Sequence, residues 1–229
     1  MQPGTAAAAA ERMVESQIAA RGVKDPRVLA AMREVPREAF VPEAQRAAAH
    51  DDGPLPIGAG QTISQPYVVA LMAEAAEIAP GDRVLDVGTG SGYAAAVLSR
   101  LAARVCSIER HASLAEAARE RLAGLGYANI EVRVGDGTLG WPDQPDQPDR
   151  GFDAILVAAA APAVPEALKR QLAVGGRLVI PVGGKYGQGL LRLRLTAVDR
   201  WEEENLGEVA FVPLVGRQGW PADGDGPPG

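Results

Sequence analysis

The chain has 229 residues, 47% of them hydrophobic, and a formal net charge of −6, the make-up of one globular domain with a sizeable core. The acidic balance excludes non-specific nucleic-acid binding, which needs clustered positive charge. One cysteine, Cys106, and two well-separated histidines, His50 and His111, argue against a disulfide framework and a metal site.

Along the chain, residues 1–10 read as a disordered leader. A helix is expected over 11–21, where Val14 and Ile18 sit one turn apart and Gly22 is the stop. Asp25-Pro26 is an N-cap and first-turn pair for a helix with Val28, Leu29, Met32 and Val35 on one face. Residues 51–66 are rich in glycine and proline without a period, and read as loop. That loop carries Gln61, Thr62, Ser64 and Gln65 around Ile63, and is either a plain connector or a site. A helix over 67–78 completes a helical cap and loop region, 11–80.

From 81 to 220 the pattern alternates. Strands are expected at 83–87, 104–108, 130–134, 152–157 and 178–182, with helices near 92–101, 114–125 and 164–172. This rhythm predicts an α/β fold: a doubly wound, mainly parallel sheet covered on both faces. Residues 190–198 read as a half-exposed antiparallel strand near an edge, where Arg192 and Arg194 block further pairing, and 209–212 as a last short strand. The proline-rich loop over 142–150 and the tail over 221–229 read as exposed and disordered. No apolar run approaches the roughly 20 residues that span a bilayer, and Ala6 to Ala10 lack the basic flank of a secretory signal. A monomer in the cytoplasm, with no membrane or nucleic-acid partner, is expected.

Chemistry concentrates where the strand over 83–87 ends. Asp86 precedes Gly88-Thr89-Gly90-Ser91-Gly92, a G-x-G-x-G turn opening a helix, whereas a dinucleotide site wants G-x-G-x-x-G. Glycines let a ligand approach the backbone, and the helix start leaves N–H groups unpaired. A carboxylate at the turn repels pyrophosphate and welcomes a cationic amino acid, which points to S-adenosylmethionine. Glu109 and Asp136, the latter backed by Gly137, fall at the next two strand tips, where a ligand lies in a doubly wound sheet. Glu109 can accept from ribose hydroxyls and Asp136 from an adenine amino group.

These residues resemble the protein-L-isoaspartate O-methyltransferase family. The likeness runs through Val35-Pro36-Arg37-Glu38, Phe40-Val41-Pro42, Pro54-Leu55-Pro56-Ile57-Gly58 and Gly60-Gln61-Thr62-Ile63-Ser64-Gln65-Pro66-Tyr67. It continues in the glycine turn with Tyr93, Ser107-Ile108-Glu109-Arg110, Gly135-Asp136-Gly137-Thr138, Ala158 to Pro162 and Phe211-Val212-Pro213-Leu214. The Gly-Gln-Thr-Ile-Ser segment discriminates, since the glycine turn is common among methyltransferases. Departures are His50 in place of a usual tyrosine, a longer 142–150 loop and the tail. The resemblance implies a Rossmann-like methyltransferase fold and methyl transfer from S-adenosylmethionine, leaving S-adenosylhomocysteine, to the α-carboxyl of L-isoaspartyl residues in damaged proteins and peptides. It also implies that Arg110 joins the cofactor residues, and that Thr62, Ile63 and Ser64 meet the substrate. Ser64 is the catalytic candidate, its hydroxyl donating to the substrate carboxylate. A plain helix cap at Ser64, or a relative acting on an aspartate of a dedicated precursor peptide, are the competing readings.

Overall fold

The structure is a computed structural model and describes residues 3–142, 151–184 and 187–222. Most of the 142–150 loop, all but two residues of the 221–229 tail, and residues 1 and 2 lie outside the described residues. The expected leader is not disordered where it is described: α1 spans Pro3–Met13. Alanine has the highest helix propensity, and Glu11 is anchored by Arg33 Nε at 2.8 Å. The helix tightens and widens beyond it, as a π turn over Val14–Ile18 and a 3-10 turn over Ala19–Arg21. There Ser16 Oγ donates to the Arg12 carbonyl at 2.6 Å, a back-bond that competes with the helix ladder. Gly22 ends the run at φ 104°, and Asp25 caps α2 (Pro26–Glu34) by accepting from Arg27 N at 2.8 Å.

The 51–66 stretch is not all loop. It contains a hairpin, β1 (Leu55–Gly58) against β2 (Gln61–Ile63). Its connection is Ala59-Gly60, both at positive φ, the geometry of a two-residue hairpin turn whose twist matches its strands. The strands are too short and too proline-broken to show a period of two. Helix α3 (Pro66–Ala75) follows, with proline at its first turn.

Among the described residues seven strands form the main sheet: β3 (Arg83–Val87), β4 (Arg104–Glu109), β5 (Ile130–Val134), β6 (Phe152–Val157), β7 (Leu172–Gly184), β8 (Gly187–Ala197) and β9 (Arg200–Val209). Their order is β5-β4-β3-β6-β7-β8-β9, parallel through β7 and antiparallel for β8 and β9. Helices α4 (Tyr93–Ser99), α5 (Ala112–Gly124) and α6 (Glu166–Arg170) are the crossovers. Alternate residues of the central strands feed two cores. Val84, Val105 and Ala154 pack with the N-terminal helices and α3, while Leu85, Cys106 and Ile155 pack with Leu168 and Leu214. Chain order reverses at β3, so the crevice above its carboxyl end is the expected ligand position.

β8 is antiparallel and lies next to the edge, as expected for 190–198, but the last strand is β9 over Arg200–Val209 rather than 209–212, and it covers β8. Rather than blocking pairing, Arg192 faces Glu204 and Arg194 faces Glu202 across the register, and Arg192 is ion-paired to Glu204. Opposite charges directly across an antiparallel pair stabilise it. The run Glu202-Glu203-Glu204 hides this strand from any apolar pattern.

Candidate active site

The cofactor side of the site is built around the tips of β3 and β4. After Val87 the chain turns through Gly88, Gly90 and Gly92, all at positive φ, which a side chain resists. A Cβ at Gly90 would also lie 3.1 Å from Ile57 of the hairpin, so the hairpin folds close over the turn. Glu109, only 5% exposed, laces the turn to the start of α5. Its Oε2 accepts from Gly90 N and its Oε1 from His111 N, each at 2.9 Å. A carboxylate has about four acceptor positions, so two remain.

Beneath the turn runs a chain of short bonds. Ser107 Oγ donates to Asp86 Oδ2 at 2.6 Å, and Thr89 Oγ1 lies 2.6 Å from Ser107 Oγ. Asp86 is 1% exposed, and burial raises its pKa to about 6, against the Ser107 bond and helped by the nearby Glu109 charge. Its protonated form is therefore favoured by folding. The stabilisation is complete below the ordinary carboxylate pKa near 4 and is lost as pH rises through about 6. A shift of about two units amounts to roughly 3 kcal/mol. Asp86→Asn cannot ionise, so its unfolding free energy relative to wild type, from urea titrations without cofactor, gains about that much between pH 4 and pH 7. A difference that stays constant over this range contradicts the assignment.

Two clefts meet here. The first, about 910 Å³ with its open mouth, is lined by Gly88, Thr89, Gly90, Ser91, Glu109, Arg110 and Gly137 among others, a size that suits a small-molecule site. The second runs between the 54–71 region and the end of β9, with Pro54, Tyr67, Leu71, Leu206 and Phe211 in its walls. Thr62, Ser64, Ala158 and Val212 line both clefts. Ile63, 4% exposed, backs the first. The Ser64 hydroxyl makes no hydrogen bond among the described residues, and α3 has no side-chain cap bond. The capping alternative for Ser64 is not what the structure adopts.

Seven of the nine expected cofactor residues thus line one cleft, and two do not. Asp86 lies behind Thr89 and Ser107, reaching the turn only through their hydroxyls. Asp136 is turned aside: its Oδ1 accepts from Thr138 N at 2.9 Å and Thr138 Oγ1 at 2.6 Å, and its Oδ2 from Arg217 N at 2.8 Å. An aspartate two residues before a free N–H is readily captured as a local cap; three of its roughly four acceptor positions are taken, and Asp136 does not line the cleft. Residues that sequence reasoning left out of the site include Ala158, Ala159, His111 and the segment Val212 to Val215. The segment is held over the cleft by bonds between Ala160 and its ends: Ala160 N donates to the Val212 carbonyl and Leu214 N to the Ala160 carbonyl, each at 2.8 Å. Its signal was the Phe211-Val212-Pro213-Leu214 motif, which had no assigned role. His50 pairs with Glu38 at 3.4 Å and lines neither cleft, so that departure from the family does not touch the site.

The cleft fits S-adenosylmethionine by shape and by donor set. Glycine backbone faces it, Glu109 offers free acceptor positions for a diol, and the hydroxyls of Thr89 and Ser91 lie at the turn. Sheet order, glycine turn and adjoining cleft together define an S-adenosylmethionine-dependent methyltransferase.

Comparison with known proteins narrows this. The family model for protein-L-isoaspartate(D-aspartate) O-methyltransferase (PCMT) matches residues 8–219. Protein-L-isoaspartate O-methyltransferase of Methylorubrum populi is 62% identical over 208 residues, covering 91% of this chain and 95% of its own. Protein-L-isoaspartate O-methyltransferase 1 of Rhodopseudomonas palustris is 58% identical over 215 residues, covering 93% and 86%. A Plasmodium falciparum protein described as a PCMT, solved in complex with S-adenosyl-L-homocysteine, superposes with a TM-score of 0.76 at 26% identity, covering 92% of this chain and 98% of its own. The chain belongs to the protein-L-isoaspartate(D-aspartate) O-methyltransferase family. A dedicated precursor-peptide enzyme is not favoured, since relatives matched over nearly their whole length carry the isoaspartate name.

Proposed function

We propose that this chain repairs damaged proteins and peptides by methylating the α-carboxyl of L-isoaspartyl residues, with Ser64 as the catalytic residue. The observation that carries the reading is the shared lining: Ser64 and Thr62 face both the cofactor cleft and the second cleft. Held in the first cleft, S-adenosylmethionine supplies a methyl group on a positively charged sulfur and leaves as S-adenosylhomocysteine.

The chain's own residues have a modest chemical task. A carboxylate with a pKa near 4 is already an anion at neutral pH, so no general base is required. Ser64 Oγ–H donates to one carboxylate oxygen, a charge-assisted bond, and leaves the other oxygen directed at the first cleft. Thr62 and Ile63 close the wall beside it, and Gly88, Thr89, Gly90, Ser91, Glu109, Arg110 and Gly137 hold the cofactor. Asp86 supports the turn from below, and Asp136 anchors the segment that covers the cleft. Opposite charges are neutralised as the methyl group moves, so the apolar walls aid the step by excluding water, and alignment supplies much of the rest. The released ester closes to a succinimide when the following backbone nitrogen attacks its carbonyl and expels methanol, and hydrolysis of the ring returns part of the product to aspartate.

We place the enzyme in the cytoplasm as a monomer; no described helix is long and apolar enough to cross a membrane. Mapping the labelled methyl group on an isoaspartyl peptide by mass spectrometry tests the chemistry. Label on the α-carboxyl, followed by succinimide, is expected; label on a side-chain carboxyl, a nitrogen or a thiol contradicts it.

A further inference from the structure

Arg37 is the largest fully buried side chain in the described protein, at 0% exposure. It sits in the 3-10 turn Arg37–Phe40, in neither cleft. Its Nε donates to the Ala49 carbonyl at 2.8 Å, and its Nη2 donates to the Ser64 carbonyl at 2.7 Å. Its guanidinium lies 4.7 Å from the ring centroid of Tyr93, the first residue of α4 after the glycine turn. Nη1 is buried without a partner, and no described carboxylate forms an ion pair with Arg37. Burial pushes its pKa down.

An arginine placed this way is a poor stabiliser. A charge with an unspent donor in an apolar core is expensive, and an apolar side chain of similar volume would pack there more favourably. What it does provide is geometry. The guanidinium is a rigid planar fork, and here its prongs tie the cap to the residue between β2 and α3. Two residues separate Ile63, the end of β2, from Pro66, the start of α3, so the peptide plane after Ser64 has few other restraints. With the carbonyl of Ser64 turned inward to Arg37, the hydroxyl is left free of protein partners at the mouth shared by the clefts.

We propose that Arg37 is the positioning residue for Ser64, fixing its backbone through the Nη2 bond so that the hydroxyl meets the substrate carboxylate. The proposal rests on the assignment of Ser64 above. It predicts that Arg37 acts on turnover only through that serine. The measurement is a double-mutant cycle on an isoaspartyl peptide with Arg37→Gln, Ser64→Ala and both together, alongside the affinity of S-adenosylhomocysteine by calorimetry. Arg37→Gln is expected to lower kcat about tenfold, as small misplacements at a reacting centre do, with S-adenosylhomocysteine affinity held within about threefold of wild type. In the Ser64→Ala background the same change is expected to lower kcat no further, since coupled residues are non-additive. Losses that multiply in the double variant, or a wild-type kcat for Arg37→Gln, overturn the proposal. A wild-type kcat for Ser64→Ala overturns the assignment of Ser64 instead. If Arg37→Gln does not fold, Arg37→Lys, which keeps the charge and one donor but not the fork, carries the same cycle with the same criteria.

Discussion

Ser64→Ala lowers kcat on an isoaspartyl peptide by about a hundredfold, because without its hydroxyl the attacking carboxylate oxygen is no longer aligned with the cofactor cleft, and misplacement at a reacting centre costs about that much. The serine makes no bond to the protein itself, so its removal leaves no internal partner unsatisfied and little reason for the fold to change. Its carbonyl bond to Arg37 survives in alanine. The loss therefore falls on chemistry: S-adenosylhomocysteine affinity and the melting temperature stay near wild type. Single-turnover kinetics separate the chemical step from binding. An alanine variant that turns over at the wild-type rate leaves Ser64 as lining only.

Glu109→Ala has the largest expected effect on the cofactor. It removes the acceptor of the Gly90 and His111 amides together with the acceptor positions open to the ribose. Two charge-assisted bonds at the usual magnitude correspond to a loss of about a hundredfold or more in affinity. Glu109→Gln retains one carbonyl acceptor and so loses less, about tenfold. Calorimetric titration with S-adenosylhomocysteine reads both directly. Equal affinities for wild type and Glu109→Ala contradict the placement of the cofactor over this residue.

How much of this could be read before folding depended on how local the determining interactions were. The runs over 83–87 and 152–157 were legible to the residue because central strands buried on both faces are mostly apolar, and 130–134 because an edge strand alternates apolar and charged residues; the structure ends all three at the same places. The Asp25-Pro26 start was legible because a cap bond spans two residues. β9 was not: it is ordered by pairing along β8, with Arg192 ion-paired to Glu204, which no pattern internal to Glu202-Glu203-Glu204 reveals. The helical state of residues 3–10 was missed because an alanine run of that length is marginal alone, and packing decides it.

The site shows the same division. The glycine spacing and the acid at the tip of β4 located the cofactor cleft, since sheet topology places every strand end on one side. Asp136 was rightly placed at a strand tip, but the direction of its carboxylate is settled by Thr138 and by Arg217, a residue 81 positions away. The segment from Val212 to Val215 reaches the cleft through its bonds to Ala160, and a contact of that span leaves no local trace. Ser64 was identified through family resemblance, whereas its place on the wall between the clefts is visible only in three dimensions.

The central claim is that this wall steers one particular carboxylate, the one displaced by isomerisation, to the cofactor cleft. The direct measurement is methyl transfer from labelled S-adenosylmethionine to two synthetic peptides identical except for an isoaspartyl or an ordinary aspartyl linkage. The account predicts stoichiometric labelling of the isoaspartyl peptide and background labelling of its aspartyl twin. Equal labelling of the two would contradict it.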